Sequence, residues 1–223
     1  MNALISMPHQ ALGSALPSVR ARLVRELRAQ HIDDERVLSA IGKLPRHEFV
    51  EDAWRAEAYK NKPLPIGLSQ TISQPYIVAL MTQLLLAGGP RQKVLEVGTG
   101  SGYQSAVLAE VFATVFSVER IKPLAEQARA RLRRLGYRNI HCGYADGSEG
   151  WKAHAPYDGI LVTAAAAEVP RALLKQMARG GRMVIPVGPP GGQQLRVIDR
   201  TPHGLEAQDV SVVSFVPLLS GKV

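Results

Sequence analysis

A chain of 223 residues, 46% hydrophobic and 21% charged, holds one α/β domain with a sizeable core and leaves no room for two full domains. Its 20 glycines and 15 prolines run throughout, which excludes collagen, coiled coil and wholesale disorder, and a single cysteine, Cys142, excludes a disulfide scaffold and a thiolate zinc cage. Most of the net charge of +8 falls after position 120, where fourteen basic residues meet eight acidic ones.

Residues 1–17 read as a mobile extension. Up to Val19 there is no lysine or arginine, and Pro8, His9, Gln10 and Pro17 interrupt the apolar residues, unlike a secretory signal. Val19, Leu23 and Leu27, then Val37, Leu38 and Ile41, fall at helical spacing and predict two amphipathic helices with Ser18 and Asp33 as N-caps. Periodicity disappears between positions 59 and 75, where Pro63, Pro65 and Gly67 precede Ser69-Gln-Thr-Ile-Ser73, and this predicts a long ordered loop. Ser73 and Pro75 then open a helix carrying Ile77, Leu80, Met81, Leu84 and Leu85 to a stop at Gly88-Gly89-Pro90.

Beyond Pro90, short apolar strands at 93–97, 114–119, 139–144, 157–163 and 181–187 alternate with helices at 101–111, 123–135 and 170–177. This order predicts a Rossmann-like, doubly wound α/β fold with a mostly parallel seven-stranded sheet and an N-terminal helical appendage. Two strands at 195–199 and 210–216 flank Pro202-His203-Gly204 with no helix between, so the sheet is expected to end in antiparallel pairing. The longest apolar run, 159–167, is half of the roughly 18 residues a membrane span requires. One cysteine and no such span make a reducing cytoplasm the expected compartment.

The densest basic stretch, Arg129, Arg131, Arg133, Arg134 and Arg138, has no acid between Glu126 and Asp146. A nucleic-acid footprint and a solvated helix face share that pattern, but the interleaved aromatics of a stacking platform are absent, which favours the solvated face.

The strongest chemical signal is Val94-Leu-Glu-Val-Gly-Thr-Gly-Ser-Gly-Tyr103, a strand running into glycines at alternate positions and then a helix. A ligand close to the backbone, or a tight strand-to-helix turn, requires such glycines. The dinucleotide fingerprint needs its third glycine where Tyr103 stands. Glu96, two residues before Gly98, would repel a pyrophosphate and suits a cationic ligand. About twenty residues on, Glu119 ends the next strand, where open α/β folds place a carboxylate across ribose hydroxyls. Asp146-Gly147 ends the third strand, as turn chemistry or as a third ligand-facing carboxylate. His141 and Cys142 read as packing, and neither metal-ligand spacing nor a Gly-x-Ser-x-Gly elbow occurs.

Glu-x-Gly-x-Gly-x-Gly followed by a ribose acid and a third-strand Asp resembles the S-adenosylmethionine site of the Rossmann-like methyltransferases. The further segments Pro63-Leu-Pro-Ile-Gly67, Gln70-Thr-Ile-Ser-Gln-Pro75, Ser117-Val-Glu-Arg120, Ala155-Pro-Tyr-Asp158, Val162-Thr-Ala-Ala165 and Gly180-Gly-Arg-Met-Val-Ile-Pro-Val-Gly188 are similar to the protein-L-isoaspartate O-methyltransferase family, from about Leu23 to Val216.

This resemblance implies methyl transfer from S-adenosylmethionine, leaving S-adenosylhomocysteine, to the free α-carboxylate of L-isoaspartyl residues in damaged proteins and peptides. The ester then collapses to a succinimide. It implies Ser73 as the catalytic residue. Cofactor contacts are expected at Glu96, Gly98, Thr99, Gly100, Ser101, Gly102, Glu119, Arg120, Asp146 and Gly147, and substrate contacts at Gln70, Thr71, Ile72, Ser73, Val216, Pro217 and Leu218, with no metal. A single domain over 18–223 then divides into a helical cap and substrate loop (18–90), a cofactor-binding core (91–188) and C-terminal strands (189–223). No membrane or nucleic-acid partner is expected, and the chain is expected to be a monomer.

An ionised acceptor carboxylate needs no general base, so Ser73 Oγ is expected to orient it by a hydrogen bond and not to act as a nucleophile; Ser73 also reads as a helix N-cap. Ser69 and Ala145 depart from glycines common in the family, and the Ser69 side chain is expected to narrow the substrate groove. Two other readings are an RNA methyltransferase using the arginine-rich helix and a cofactor-binding module without transfer activity. Against the first, no Asn/Asp-Pro-Pro-aromatic motif follows the fourth strand.

Overall fold

The structure is a computed structural model that describes residues 9–89 and 92–223. Helix α1 (His9–Arg28) and α2 (Glu35–Lys43) bury Leu23, Leu27, Val37, Leu38 and Ile41, as their helical spacing requires. Helix α1 runs through Pro17, so Ser18 lies inside it and is not a cap; of the expected extension, residues 1–8 lie outside the described residues and 9–17 are helical. The cap of α2 is Asp34 and not Asp33, because Gln83 Oε1 accepts both the Asp33 and Asp34 N–H (2.8 and 2.9 Å) and sets the helix entry one residue later.

A 3-10 turn follows at Arg46–Phe49. The segment read as irregular holds a small hairpin, β1 (Leu64–Pro65) and β2 (Thr71–Ile72), with Leu64 opposite Ile72. Strands of two residues carry no legible period, and the turn closes through left-handed backbone at Gly67, Leu68 and Ser69 (φ 84°, 51° and 56°). In α3 (Pro75–Leu86) the N-cap position belongs to Gln74, so Ser73 is not the cap and its side chain is not committed to the helix.

The alternating region then reads β3 (Lys93–Val97), α4 (Tyr103–Val111), β4 (Thr114–Glu119), α5 (Lys122–Arg134), β5 (Ile140–Tyr144), β6 (Tyr157–Val162), α6 (Arg171–Lys175), β7 (Met177–Val187), β8 (Gln193–Thr201) and β9 (Gly204–Val213). Strands β3 to β9 form one sheet in the order β5-β4-β3-β6-β7-β8-β9. Its first five strands are parallel; β7–β8 and β8–β9 are antiparallel, as predicted.

The pleat divides each strand between two cores. Val94, Val115, Leu161 and Val184 face the one shared with α1 to α4, whereas Leu95, Val97, Phe116, Val118, Ile160 and Val162 face the other, with Leu173 of α6. The chain winds outward from β3 through β4 to β5 and returns on the opposite side of β3 as β6. Connections therefore diverge at the carboxyl ends of β3 and β6, which is where such sheets open a ligand crevice. No helix among the described residues is long and apolar enough to cross a membrane.

Candidate active site

The glycine loop leaves β3 at that switch point. Gly98 has φ 96°, and a Cβ there would stand 2.4 Å from Thr163 Oγ1. The close approach serves a bond, since Thr163 Oγ1 donates to Gly98 O at 2.7 Å and so ties the ends of β3 and β6 together. The Gly98 N–H donates to Val118 O at 2.9 Å, which holds the loop over β4. Gly102, at φ 89°, turns the chain into α4.

Glu119, 6% exposed at the end of β4, accepts the Gly100 N–H on Oε2 (2.8 Å) and the Ile121 N–H on Oε1 (2.9 Å). Each carboxylate oxygen has two acceptor positions, so capacity remains for ligand hydroxyls. Arg120 lies beside it, and both line a cavity with Gly98, Gly100 and Gly147. Gly147 packs under this cavity because it lacks a Cβ, which would meet Val97 Cγ1 at 2.5 Å.

Glu96 does not reach the crevice, and its expected role as a cofactor contact is corrected. The pleat turns its side chain with Val94 beneath α4, where it is 0% exposed. Burial pushes its carboxyl up to about 8 against the opposing hydrogen bonds of Ser105 and Ser117, so the group is largely protonated at neutral pH and offers a cation little attraction. Ser105 Oγ and Ser117 Oγ (2.5 Å) both contact Oε2, and Thr99 Oγ1 lies 2.6 Å from Ser117 Oγ. Glu96 and the buried Thr99 thus hold the loop from below. Ser101 is buried as well, and its carbonyl accepts from Arg131 Nη1 at 2.8 Å.

Asp146 is a turn residue first. Its Oδ1 accepts the Ser148 N–H (2.9 Å) and Ser148 Oγ (2.7 Å), and Oδ2 accepts the Gly221 N–H at 2.5 Å. Burial raises its pKa, but the bonds from Gly221 and Ser148, with Arg120 nearby, outweigh this and hold the carboxyl below its ordinary value. Those bonds fasten the C-terminal segment over the crevice, where Arg120 Nε also donates to Gly221 O (3.0 Å). Pro217 and Leu218, expected on the acceptor side, accordingly line the Glu119 cavity, whereas Val216 borders both sides.

Hairpin strand β2 brings the expected acceptor residues to the glycine loop. Thr71, Ile72 and Ser73 line one small cavity with residues 98–101, and Thr71 and Ser73 also line a groove of about 520 Å³ that reaches residues 212–216. Gln70 borders the Glu119 cavity. Among the described residues the Ser73 hydroxyl makes no hydrogen bond, and its carbonyl accepts from Arg46. Ser69 is exposed at the hairpin tip and does not narrow the groove, and Ala145 packs its methyl into the second core.

Thr163, missed in the sequence, borders all three cavities; its place at the end of a strand beside the glycine strand was the available signal. The arginine-rich helix is largely spoken for: Arg129 donates to Cys142 O (2.8 Å), Arg131 to Ser101 O, and Arg134 pairs with Glu48 at 3.0 Å. No group of three or more metal-ligating side chains occurs among the described residues.

Fold and site together define a class I methyltransferase, the class that uses S-adenosylmethionine. The sequence profile described as Protein-L-isoaspartate(D-aspartate) O-methyltransferase matches residues 18–223. The chain belongs to that family. A Halorhodospira halophila protein named protein-L-isoaspartate O-methyltransferase is 53% identical over 212 residues, covering 95% of this chain and 96% of the other. One from Nitrosococcus oceani, named protein-L-isoaspartate O-methyltransferase 1, is 56% identical over 201 residues, covering 90% and 94%. A solved structure of a protein-L-isoaspartate O-methyltransferase superposes with TM-score 0.80 at 27% identity, over 89% of this chain and 65% of the other. Another, from Plasmodium falciparum and described as such an enzyme in complex with S-adenosyl-L-homocysteine, gives TM-score 0.78 at 25% identity, over 89% and 97%.

Proposed function

We propose that this chain transfers a methyl group from S-adenosylmethionine to the free α-carboxylate of L-isoaspartyl residues in damaged proteins and peptides, acting as a cytoplasmic monomer. The observation that carries this reading is that Thr71 and Ser73 line the same cavity as residues 98–101. The residues fit the cofactor: Gly98, Gly100 and Gly147 line one cavity with Glu119, which keeps acceptor capacity for ribose hydroxyls. When bound, the cofactor supplies an electrophilic methyl group on a sulfonium centre.

The acceptor carboxylate is ionised at neutral pH, so no side chain has to remove a proton. The protein's work is alignment, where a well-oriented pair gains roughly 7 to 11 kcal/mol over free reactants. Ser73 Oγ, free of the helix cap, donates a hydrogen bond that aims a carboxylate oxygen at the methyl carbon. Val216 and Thr71 border the acceptor backbone. Closure of the C-terminal segment excludes water where opposite charges neutralise each other. The methyl ester formed is attacked by the following main-chain nitrogen, which expels methanol and closes the succinimide.

The test is transfer of labelled methyl to two peptides that differ only in one L-isoaspartyl or L-aspartyl linkage, with bulk RNA as a third acceptor. Base-labile label on the isoaspartyl peptide alone is expected. Label on RNA, or none with cofactor bound, overturns the reading. Ser73→Ala is expected to lower kcat with cofactor affinity retained, and unchanged turnover removes its role.

A further inference from the structure

Among the described residues Arg46 is the largest fully buried side chain, at 0% exposure, and no carboxylate pairs with it. Its Nε donates to Ala58 O at 2.8 Å and its Nη2 to Ser73 O at 2.9 Å, while Nη1 has no partner. The guanidinium carbon lies 4.7 Å from the ring centroid of Tyr103. Tyr103 is the first residue of α4, directly after Gly102, and it lines the cavity shared by Ser73 and the glycine loop. One side chain therefore touches the backbone that carries Ser73 and the ring that anchors the loop opposite.

Packing alone does not account for this choice of residue. A guanidinium buried without a counter-anion is costly, and an apolar side chain of similar volume fills such a site without that cost. What the guanidinium adds is its planar fork, which reaches two carbonyls in fixed directions while its face lies on an aromatic ring. Both carbonyls belong to segments far apart in sequence, and one of them is the carbonyl of Ser73.

We propose that Arg46 is a positioning residue for methyl transfer: it pins the Ser73 backbone against Tyr103 and so sets the distance and direction between Ser73 Oγ and the glycine loop. The inference rests on the reading of Ser73 as the group that orients the acceptor. Arg46 borders neither the Glu119 cavity nor the acceptor groove, so it acts through Ser73 and not by contact with either reactant.

The test is a double-mutant cycle in kcat for the isoaspartyl peptide, using Arg46→Lys, Ser73→Ala and the double variant. Lysine keeps the charge and loses the fork. Arg46→Lys is expected to lower kcat by about 10- to 100-fold, the scale of a misplacement near 1 Å, with cofactor Kd within about twofold. In the Ser73→Ala background the same substitution is expected to change kcat by less than about threefold, since residues acting as one unit are not additive. Wild-type kcat in Arg46→Lys, or losses that multiply in the double variant, overturn the proposal. If Arg46→Lys does not fold, Tyr103→Leu removes the ring and enters the same cycle with the same two outcomes. Unchanged kcat in Ser73→Ala overturns instead the reading on which the proposal rests.

Discussion

At the scale of single residues, Glu96 and Ser69 show environment overriding residue type. Glu96 carries its carboxyl into the core, and burial raises it from 4.5 to about 8. The folded state keeps a proton that the unfolded state releases, so this contribution is fully present below pH 4.5, is lost as pH rises towards about 8 and is flat beyond. Glutamine imitates the protonated form. The unfolding free energy of Glu96→Gln is therefore expected to pull ahead of the parent's between pH 5 and pH 8, by on the order of a few kcal/mol at the plateau. A gap independent of pH contradicts the buried-acid account. Ser69 stands at φ 56°, a conformation in which glycine is unstrained, and its side chain is exposed. Ser69→Gly is expected to gain about 1 kcal/mol in denaturant unfolding, with the groove unaffected because the hydroxyl lies outside it. Glu119→Ala removes a charged acceptor and frees the Gly100 N–H, so cofactor affinity is expected to fall by about 10- to 100-fold in calorimetry.

At the scale of elements, the hairpin β1–β2 and the C-terminal segment meet at the crevice, where both line the Glu119 cavity and the acceptor groove. The hairpin delivers Thr71 to Ser73, and the C-terminal segment covers the Glu119 cavity through Pro217 and Leu218. The fastening of that segment is a short network: Gly221 N–H to Asp146, Val223 N–H to Arg120 O at 2.8 Å, and Lys122 N–H to Val223 O at 2.8 Å. Asp146 has a lowered carboxyl, so its contribution is present above the ordinary carboxylate range and is lost only as pH falls through the folded value. The segment accordingly stays fastened at neutral pH. Asp146→Ala is expected to speed amide exchange at Gly221 and Val223 at least tenfold while α3 and β3 stay protected. Equal exchange rates would show that the tail is held by its other bonds.

At the scale of the molecule, the order β5-β4-β3-β6-β7-β8-β9 places the ends of β3, β4 and β6 around one crevice, with a separate hydrophobic core on each face of the sheet. A ligand that spans Glu119, the glycine loop and Gly147 touches connections from three strands, so its binding is linked to the stability of the whole sheet. S-adenosyl-L-homocysteine at one hundred times its Kd is expected to add about 2.7 kcal/mol to unfolding, read as a rise in Tm. At the same concentration Glu119→Ala is expected to lose most of that rise.

The strands β3 to β8 were legible in the sequence as short, mostly apolar runs and the helices α2 to α5 through their 3.6-residue period, and the glycines at 98, 100 and 102 marked a loop in which all three carry positive φ. The order of those elements also determined a doubly wound sheet with its crevice beyond the strand ends, and family motifs named the chemistry. Only the tertiary structure decided what each polar group does there. The pleat sent Glu96 under α4, Gln83 moved the cap of α2 to Asp34, and the tail claimed Asp146. Thr163 and Arg46 gained their parts from partners 65 and 27 residues away. Local periodicity reports which face of an element is apolar, whereas the partner of a polar side chain depends on chain crossings that no local pattern encodes.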